Sequence, residues 1–305
     1  MSNNKVIITI APTGGVASKS QNPHLPTQPE EIAADVYDCY NAGASVVAVH
    51  ARRPDDLATC NADIYRSINS AIREKCDIII NNSTGGGTTG DMLNPSAENG
   101  WDVSFEERLK GIDAGAEMCT LDPLTMVATF DGTEMVMNTS PSRTRKLAEE
   151  MLKRGIKPEW EVFNAPHILQ DVQACVDAGL DEEPYYVNIV LGMHKGFQGT
   201  MPYSPRYLQQ MVDVLPKGSQ FCVTGMGSAQ LPAAINSLLL GGNIRVGLED
   251  NLFYKKGEVG TNLQLIERLV RIAGEMGFDP ATPEEARQMM GLPLKNTTSR
   301  PEFAV

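Results

Sequence analysis

Short apolar runs alternate with stretches of helical period along almost the whole chain. Residues 6–10, 44–50, 77–82, 117–121, 158–163, 185–191 and 220–223, and the run that opens at Asn243, carry the apolar character of buried strands. Between them, 29–41, 63–75, 104–113, 140–153, 167–178, 205–214, 229–240 and 263–276 read as helices. The boundary signals agree. Pro29-Glu30-Glu31 opens a helix with Thr27 or Gln28 near its cap, and Ser104-Phe-Glu-Glu107 resembles a capping box. Gly43, Gly115 and Gly155 fall where helices should stop.

Eight strand-then-helix alternations imply parallel strands joined by right-handed crossovers, and eight strands suffice to close a barrel. The expectation is an α/β fold, a (β/α)8 TIM barrel forming a single domain over residues 1–292. An open doubly wound sheet is the alternative. Residues 12–29, 88–102 and 122–139 are longer than plain connectors and read as active-site loops. Residues 293–305 read as a C-terminal arm, loose or packed on a neighbour.

Composition narrows the partners. Of 305 residues, 42% are hydrophobic and 21% charged, which suits one large globular domain. The net charge of −12 argues against a general nucleic-acid or anionic-membrane surface, though a local basic pocket stays open. Six scattered cysteines without a Cys-x-x-Cys pair read as reduced thiols. With no secretory pattern and no apolar run near the ~20 residues that span a bilayer, a soluble cytoplasmic protein is expected.

Chemistry gathers at the C-terminal ends of the strands, where such barrels carry their catalytic groups. Those ends supply His50 and Arg52, then Asn82, Ser83 and Thr84 with three glycines, then Thr120 and Asp122. Glu159 and Glu161 share one face of strand five, and Gly192-Met-His194-Lys195 follows strand six. In strand eight, which ends in two adjacent carboxylates, Arg245, Gly247 and Glu249 share one face while Val246 and Leu248 share the other, and Asp250 comes next. A cation and an anion on an apolar strand are costly unless paired, metal-bound or catalytic. The readings are a structural ion pair or an active-site strand. His50 and Glu249 suit Zn2+ or a similar ion, and a His-x-His strand would present two imidazoles, but position 48 is Ala. His24 and His194 are the candidate replacements. There is neither a Walker loop nor a strand-helix Gly-x-Gly-x-x-Gly, which disfavours nucleotide phosphoryl transfer and Rossmann redox chemistry.

Together these residues resemble the β-keto acid cleavage enzyme family, whose best-known activity is cleavage of 3-keto-5-aminohexanoate. The likeness rests on Ala11-Pro-Thr-Gly14, Pro23-His-Leu-Pro26 with Pro29-Glu-Glu-Ile32, Val49-His-Ala-Arg52, Thr84-Gly-Gly86 and Lys157-Pro-Glu-Trp-Glu161. Above all it rests on Arg245-Val-Gly-Leu-Glu-Asp-Asn251, preceded by Leu240-Gly-Gly242. It implies a zinc-bearing barrel that forms homo-oligomers, a tetramer or other. It also implies a reaction of a β-keto acid with acetyl-CoA, giving a new acyl-CoA and acetoacetate by a retro-Claisen step. In the resemblance the metal is held by His50 and Glu249, with Ala48 where a further histidine belongs. Asp250 and Arg245 match the catalytic aspartate and its activating arginine. Ser83 or Thr84 matches an orienting hydroxyl, Glu161 and Thr120 match further site positions, and Gly85 and Gly86 offer amides to the ligand. A metal-dependent aldolase or lyase without CoA, and a barrel that binds ligand without catalysis, are the competing readings.

Overall fold

A computed structural model describes residues 4–96, 100–130 and 132–294. The eight expected strands form one closed parallel barrel: β1 (Ile8–Ile10), β2 (Val46–Val49), β3 (Ile79–Asn82), β4 (Met118–Leu121), β5 (Lys157–Val162), β6 (Tyr185–Leu191), β7 (Ser219–Gly225) and β8 (Asn243–Val246). Closure comes from β8 pairing with β1, with Arg245 opposite Thr9 and Val246 opposite Ile10. The open doubly wound sheet is excluded.

The helices are α1 (Pro29–Asn41), α2 (Ala62–Lys75), α3 (Phe105–Lys110), α4 (Pro141–Lys153), α5 (a wide π turn, His167–Val172, running into Gln173–Asp177), α6 (Pro205–Asp213), α7 (Gln230–Leu239), α8 (Asn262–Glu275) and α9 (Pro283–Met290). Gln28 caps α1 in a capping box closed by the Glu31 side chain, and the Ser104 hydroxyl caps α3. The outward strand residues, among them Ile10, Val47, Ile80, Trp160, Val187 and Ile244, are fully or almost fully buried against the helices. Each such aliphatic side chain contributes about 1.5–3 kcal/mol through burial.

Inside the barrel the layers differ. At the N-terminal end, Ile7, Val46, Ile79, Met118, Tyr186 and Cys222 make an apolar plug. Ala286 and Met290 of α9 close it from below. The sequence pattern did not foretell α9. Its Arg287 is 1% exposed and binds Asp77 and Glu117, the residues just before β3 and β4. Higher up, the interior turns polar. Asn81 donates to Glu159 at 2.6 Å, and Asn188 donates to Glu161 at 2.9 Å.

Two expected loops contain strands. The 122–139 segment is a hairpin of Thr125–Phe130 and Thr133–Asn138, and the 88–102 segment supplies Leu93–Pro95 and Trp101–Val103 to the same four-stranded sheet. Among the described residues no helix is long and apolar enough to cross a membrane. All six cysteines are free. The expected arm lies, beyond Leu294, outside the described residues.

Candidate active site

The strand expected to run to Glu249 stops at Val246, and that is what assembles the site. Gly247 takes φ 156°, and a Cβ there would sit 1.9 Å from the Ala11 carbonyl oxygen. Only glycine lets the chain pass so close to the end of β1. The chain then turns, with the Asp250 and Asn251 amides donating to the Gly247 carbonyl and Leu248 N–H donating to Asn262 of α8. In a continued strand Glu249 and Asp250 would point to opposite faces. The turn brings both to Arg245.

The Arg245 guanidinium bonds Asp250 through Nε at 3.2 Å and Nη2 at 3.0 Å, Glu161 through Nη1 at 3.0 Å and Glu249 through Nη2 at 2.5 Å. One cation thus serves three carboxyl groups in a water-poor site. Burial pushes Asp250 up to about 6 against the pull of Arg245, with Glu249 adding to the rise. Burial also pushes Glu249 upward, but Arg245 and then His50 outweigh it and hold that carboxyl at about 2. Glu161 goes well above the usual carboxylate range through burial, opposed by Arg245 and reinforced by Asp122. Glu159, deeper in the barrel, is raised for the same first reason.

His50 follows β2. Its Nδ1 lies 2.8 Å from the Gly86 carbonyl, which can only accept, so the proton sits on Nδ1. Nε2 then faces Glu249 Oε1 at 3.4 Å. The imidazole and the carboxylate therefore converge across the barrel mouth, as the sequence led one to expect. The second Glu249 oxygen is buried without a hydrogen-bond partner. Ala48, two residues before His50, contributes only a methyl group. His24 and His194 are exposed and line no part of the cavity, so neither replaces it.

Around this cluster lies a cavity of about 430 Å³ lined by His50, Ser83, Gly85, Asp122, Glu161 and the strand-eight residues, among others. Ser83 Oγ accepts from the Gly85 amide at 3.1 Å and keeps its own proton for the cavity. Thr84 and Thr120 stand apart. Thr84 Oγ1 donates to the Thr120 carbonyl, and the Thr84 amide donates to Thr120 Oγ1, so the two stitch β3's end to β4 rather than line the cavity. Gly86 acts through its carbonyl on His50.

Some participants went unread in the sequence. Arg108 of α3 is 1% exposed, donates to the Thr84 carbonyl and to Thr139, and lies 3.5 Å from Asp122. Asn188 and Thr224 form the chain Thr224 to Asn188 to Glu161. A polar residue inside an apolar strand is the signal that could have flagged Asn188.

A (β/α)8 barrel with a buried Arg–carboxylate cluster, an imidazole and a hydroxyl lining a cavity at its C-terminal mouth defines the class: a barrel enzyme working on a small molecule. The family model of the beta-keto acid cleavage enzyme matches residues 5–292, so the chain belongs to that family. Its activity is CoA-dependent carbon–carbon cleavage of a β-keto acid. The chain is 37% identical, over 94% of its own length and 98% of the relative's, to a 3-keto-5-aminohexanoate cleavage enzyme of Fusobacterium nucleatum subsp. nucleatum. It is 33% identical to a 3-dehydrocarnitine:acetyl-CoA trimethylamine transferase of Rhizobium meliloti, covering 95% of this chain and 97% of that one. Among solved structures, apo ObcA superimposes with a TM-score of 0.69 at 19% identity, over 88% of this chain and 66% of that chain, a likeness of fold alone.

Proposed function

We propose that Asp250 is the base that removes a proton from the carbon between the two carbonyls of the β-keto acid. The carrying observation is its two-point hold by Arg245, which fixes the carboxylate at the cavity wall. A bidentate guanidinium sets both position and basicity. The resulting carbanion attacks the acetyl-CoA carbonyl and expels CoA thiolate. The Ser83 hydroxyl, which lines the cavity and accepts from the Gly85 amide, would donate its own proton to the oxyanion, a role worth about 3–4 kcal/mol for one well-placed donor. The thiolate then adds to the substrate-derived ketone, and the bond between that carbon and the former carbanion breaks. Acyl-CoA leaves, and the acetoacetate carbanion takes its proton back from Asp250.

Among the described residues no group of three or more His, Cys, Asp or Glu is placed to hold a metal ion, so a divalent cation, zinc as the family resemblance implies, would find a two-donor site. Its protein donors would be His50 Nε2 and Glu249, whose second oxygen is buried and unpaired. The Gly86 carbonyl already fixes the imidazole tautomer such a ligand needs. Carboxyl groups also outnumber cations around Arg245, so a positive ion would relieve the imbalance. When bound, such an ion supplies Lewis acidity to the keto and carboxylate oxygens of the substrate. With Ala48 in place the chain brings two donors where catalytic zinc sites commonly have three.

We take the protein to be a cytoplasmic homo-oligomer. Free cysteines support the reducing compartment. Leu239 of α7 and Leu169 of α5, 69% and 57% exposed, offer apolar surface for a neighbour.

The test is Asp250→Asn. Turnover should fall by about 10²–10⁴-fold, with the circular-dichroism spectrum and melting behaviour kept. Enzyme-catalysed exchange of the substrate's C2 protons for deuterium, assayed without acetyl-CoA, should vanish with it. Retained exchange in the variant would remove Asp250 from the role.

A further inference from the structure

The cavity has two unlike ends. Every charged side chain that lines it among the described residues (Asp122, Glu161, Arg245, Glu249 and Asp250, with His50 as the titratable sixth) belongs to the catalytic wall. Among the described residues no lysine and no second arginine lines it. A separate stretch of the wall is built by the hairpin that follows β4. Met126 pairs with Met137 and Ala128 with Met135, so all four present one buried face of the hairpin to the cavity. Met193 and Phe197, from the loop after β6, extend that face.

The hairpin is held in place. The Thr129 amide donates to the Gly196 carbonyl and the Gln198 amide donates to the Val127 carbonyl, both at 2.9 Å. Phe130 and Phe197 meet edge to face with centroids 5.4 Å apart. The apolar wall is therefore a built part of the cavity.

We infer that the β-keto acid cleaved here carries an uncharged, apolar substituent beyond its ketone, a hydrocarbon chain seated against the methionines of the 125–138 hairpin. The inference rests on the proposed function, which orients the acid's reacting carbons toward Asp250 and Arg245. The far end of the substrate then lies against the hairpin side, whose lining residues are apolar. A distal carboxylate or ammonium would give up its hydration there without a partner, which is costly. A quaternary ammonium would want an aromatic enclosure, whereas methionines prevail on this wall. Unbranched thioether side chains adapt to flexible alkyl chains. The relatives' names imply otherwise for their own substrates: one carries an amino group at C5 and another a trimethylamine group.

The experiment compares kcat/KM, with acetyl-CoA and metal-replete holoenzyme, for 3-oxohexanoate, 3-oxooctanoate, 3-oxoadipate and 3-keto-5-aminohexanoate. We expect the two alkyl acids to exceed the two charged ones by at least ~100-fold, and each added methylene to raise kcat/KM about 4-fold until the cavity is full. Met137→Ala should raise the KM for 3-oxooctanoate and leave the KM for acetyl-CoA alone. Met135→Lys should shift preference toward 3-oxoadipate. Equal or better use of a charged acid would overturn the inference, as would a Met137→Ala effect confined to acetyl-CoA, which would assign the wall to the CoA arm. If no acid turns over, the proposed function fails, and calorimetric binding of the same four acids still decides the inference by their rank.

Discussion

Arg245 makes four hydrogen bonds to three carboxyl groups. Such a cluster is stable only while some members stay protonated or a further cation joins it, because like charges this close cannot all ionise in a low dielectric. The partition is set by contact. Glu249, with Arg245 and His50, stays ionised, while Glu161, beside Asp122, is driven toward its neutral form. At position 48 the missing donor can be supplied. Ala48→His should raise the zinc retained after exhaustive dialysis from substoichiometric toward one per chain, read by elemental analysis, and the gain should disappear in Ala48→Gln. Unchanged zinc content in Ala48→His would show that His50 and Glu249 are not two parts of one ligand set. At this scale Arg245, His50, Glu249 and Asp250 were legible, because a charge in an apolar strand demands an explanation. Arg108 was not: it sits in a short helix whose other charges are ordinary surface, and only packing shows its guanidinium buried beneath the loops.

Secondary-structure elements were legible wherever the period was strong. The barrel strands and helices fall within a few residues of the apolar runs that announced them. The largest misreading was at β8, where an apolar alternation continues past the strand's true end. Gly247, overlapped by Ala11, ends it, and that overlap exists only once β1 lies alongside. The hairpin over the mouth read as a loop because one of its faces meets solvent and the other meets a cavity, so its pattern resembles neither a core strand nor a plain turn. Helix α9 went unread for a related reason. It is short, and its apolar residues become meaningful only against the barrel floor. Its contribution is testable through Arg287, whose guanidinium ties α9 to Asp77 and Glu117. Arg287→Ala should cost about 1–3 kcal/mol of stability, because it takes the buried guanidinium away from Glu117 while Asp77 stays half exposed to water. Urea unfolding should show a lower midpoint while the catalytic mouth keeps its substrate KM. An unchanged midpoint would make α9 a bystander.

At the scale of the whole molecule, the start of α8 ties the turn after β8 to the segment after β1 and to α1. Asn262 receives the Leu248 N–H on its side-chain oxygen and donates to the Pro12 carbonyl and to Asp35 of α1, the last at 2.6 Å. Burial raises Asp35 from 3.8 to about 7, with the Asn262 hydrogen bond opposing. An acid that holds its proton more tightly folded than unfolded favours the folded state at low pH. Its contribution is complete below about pH 4, falls as pH rises toward about 7 and is flat beyond. Asp35→Asn should therefore be more stable than the parent at pH 8, with the difference shrinking steadily as pH falls to 4, measured by urea unfolding across that range. A difference independent of pH would mean that Asp35 is ionised in the fold.

The alternation of the eight barrel strands with their helices, and most of the charged residues that belong at the barrel mouth, were determined by the sequence alone, whereas closure of the barrel rests on the pairing of β8 with β1. Side-chain period and residue chemistry are local properties, written in the chain before it folds. Three further features were decided only by tertiary structure: the convergence of Glu249 and Asp250 on one guanidinium, the apolar ceiling over the site and the plug beneath the barrel. Each depends on which distant backbone lies within a few ångströms, and no local period carries that information.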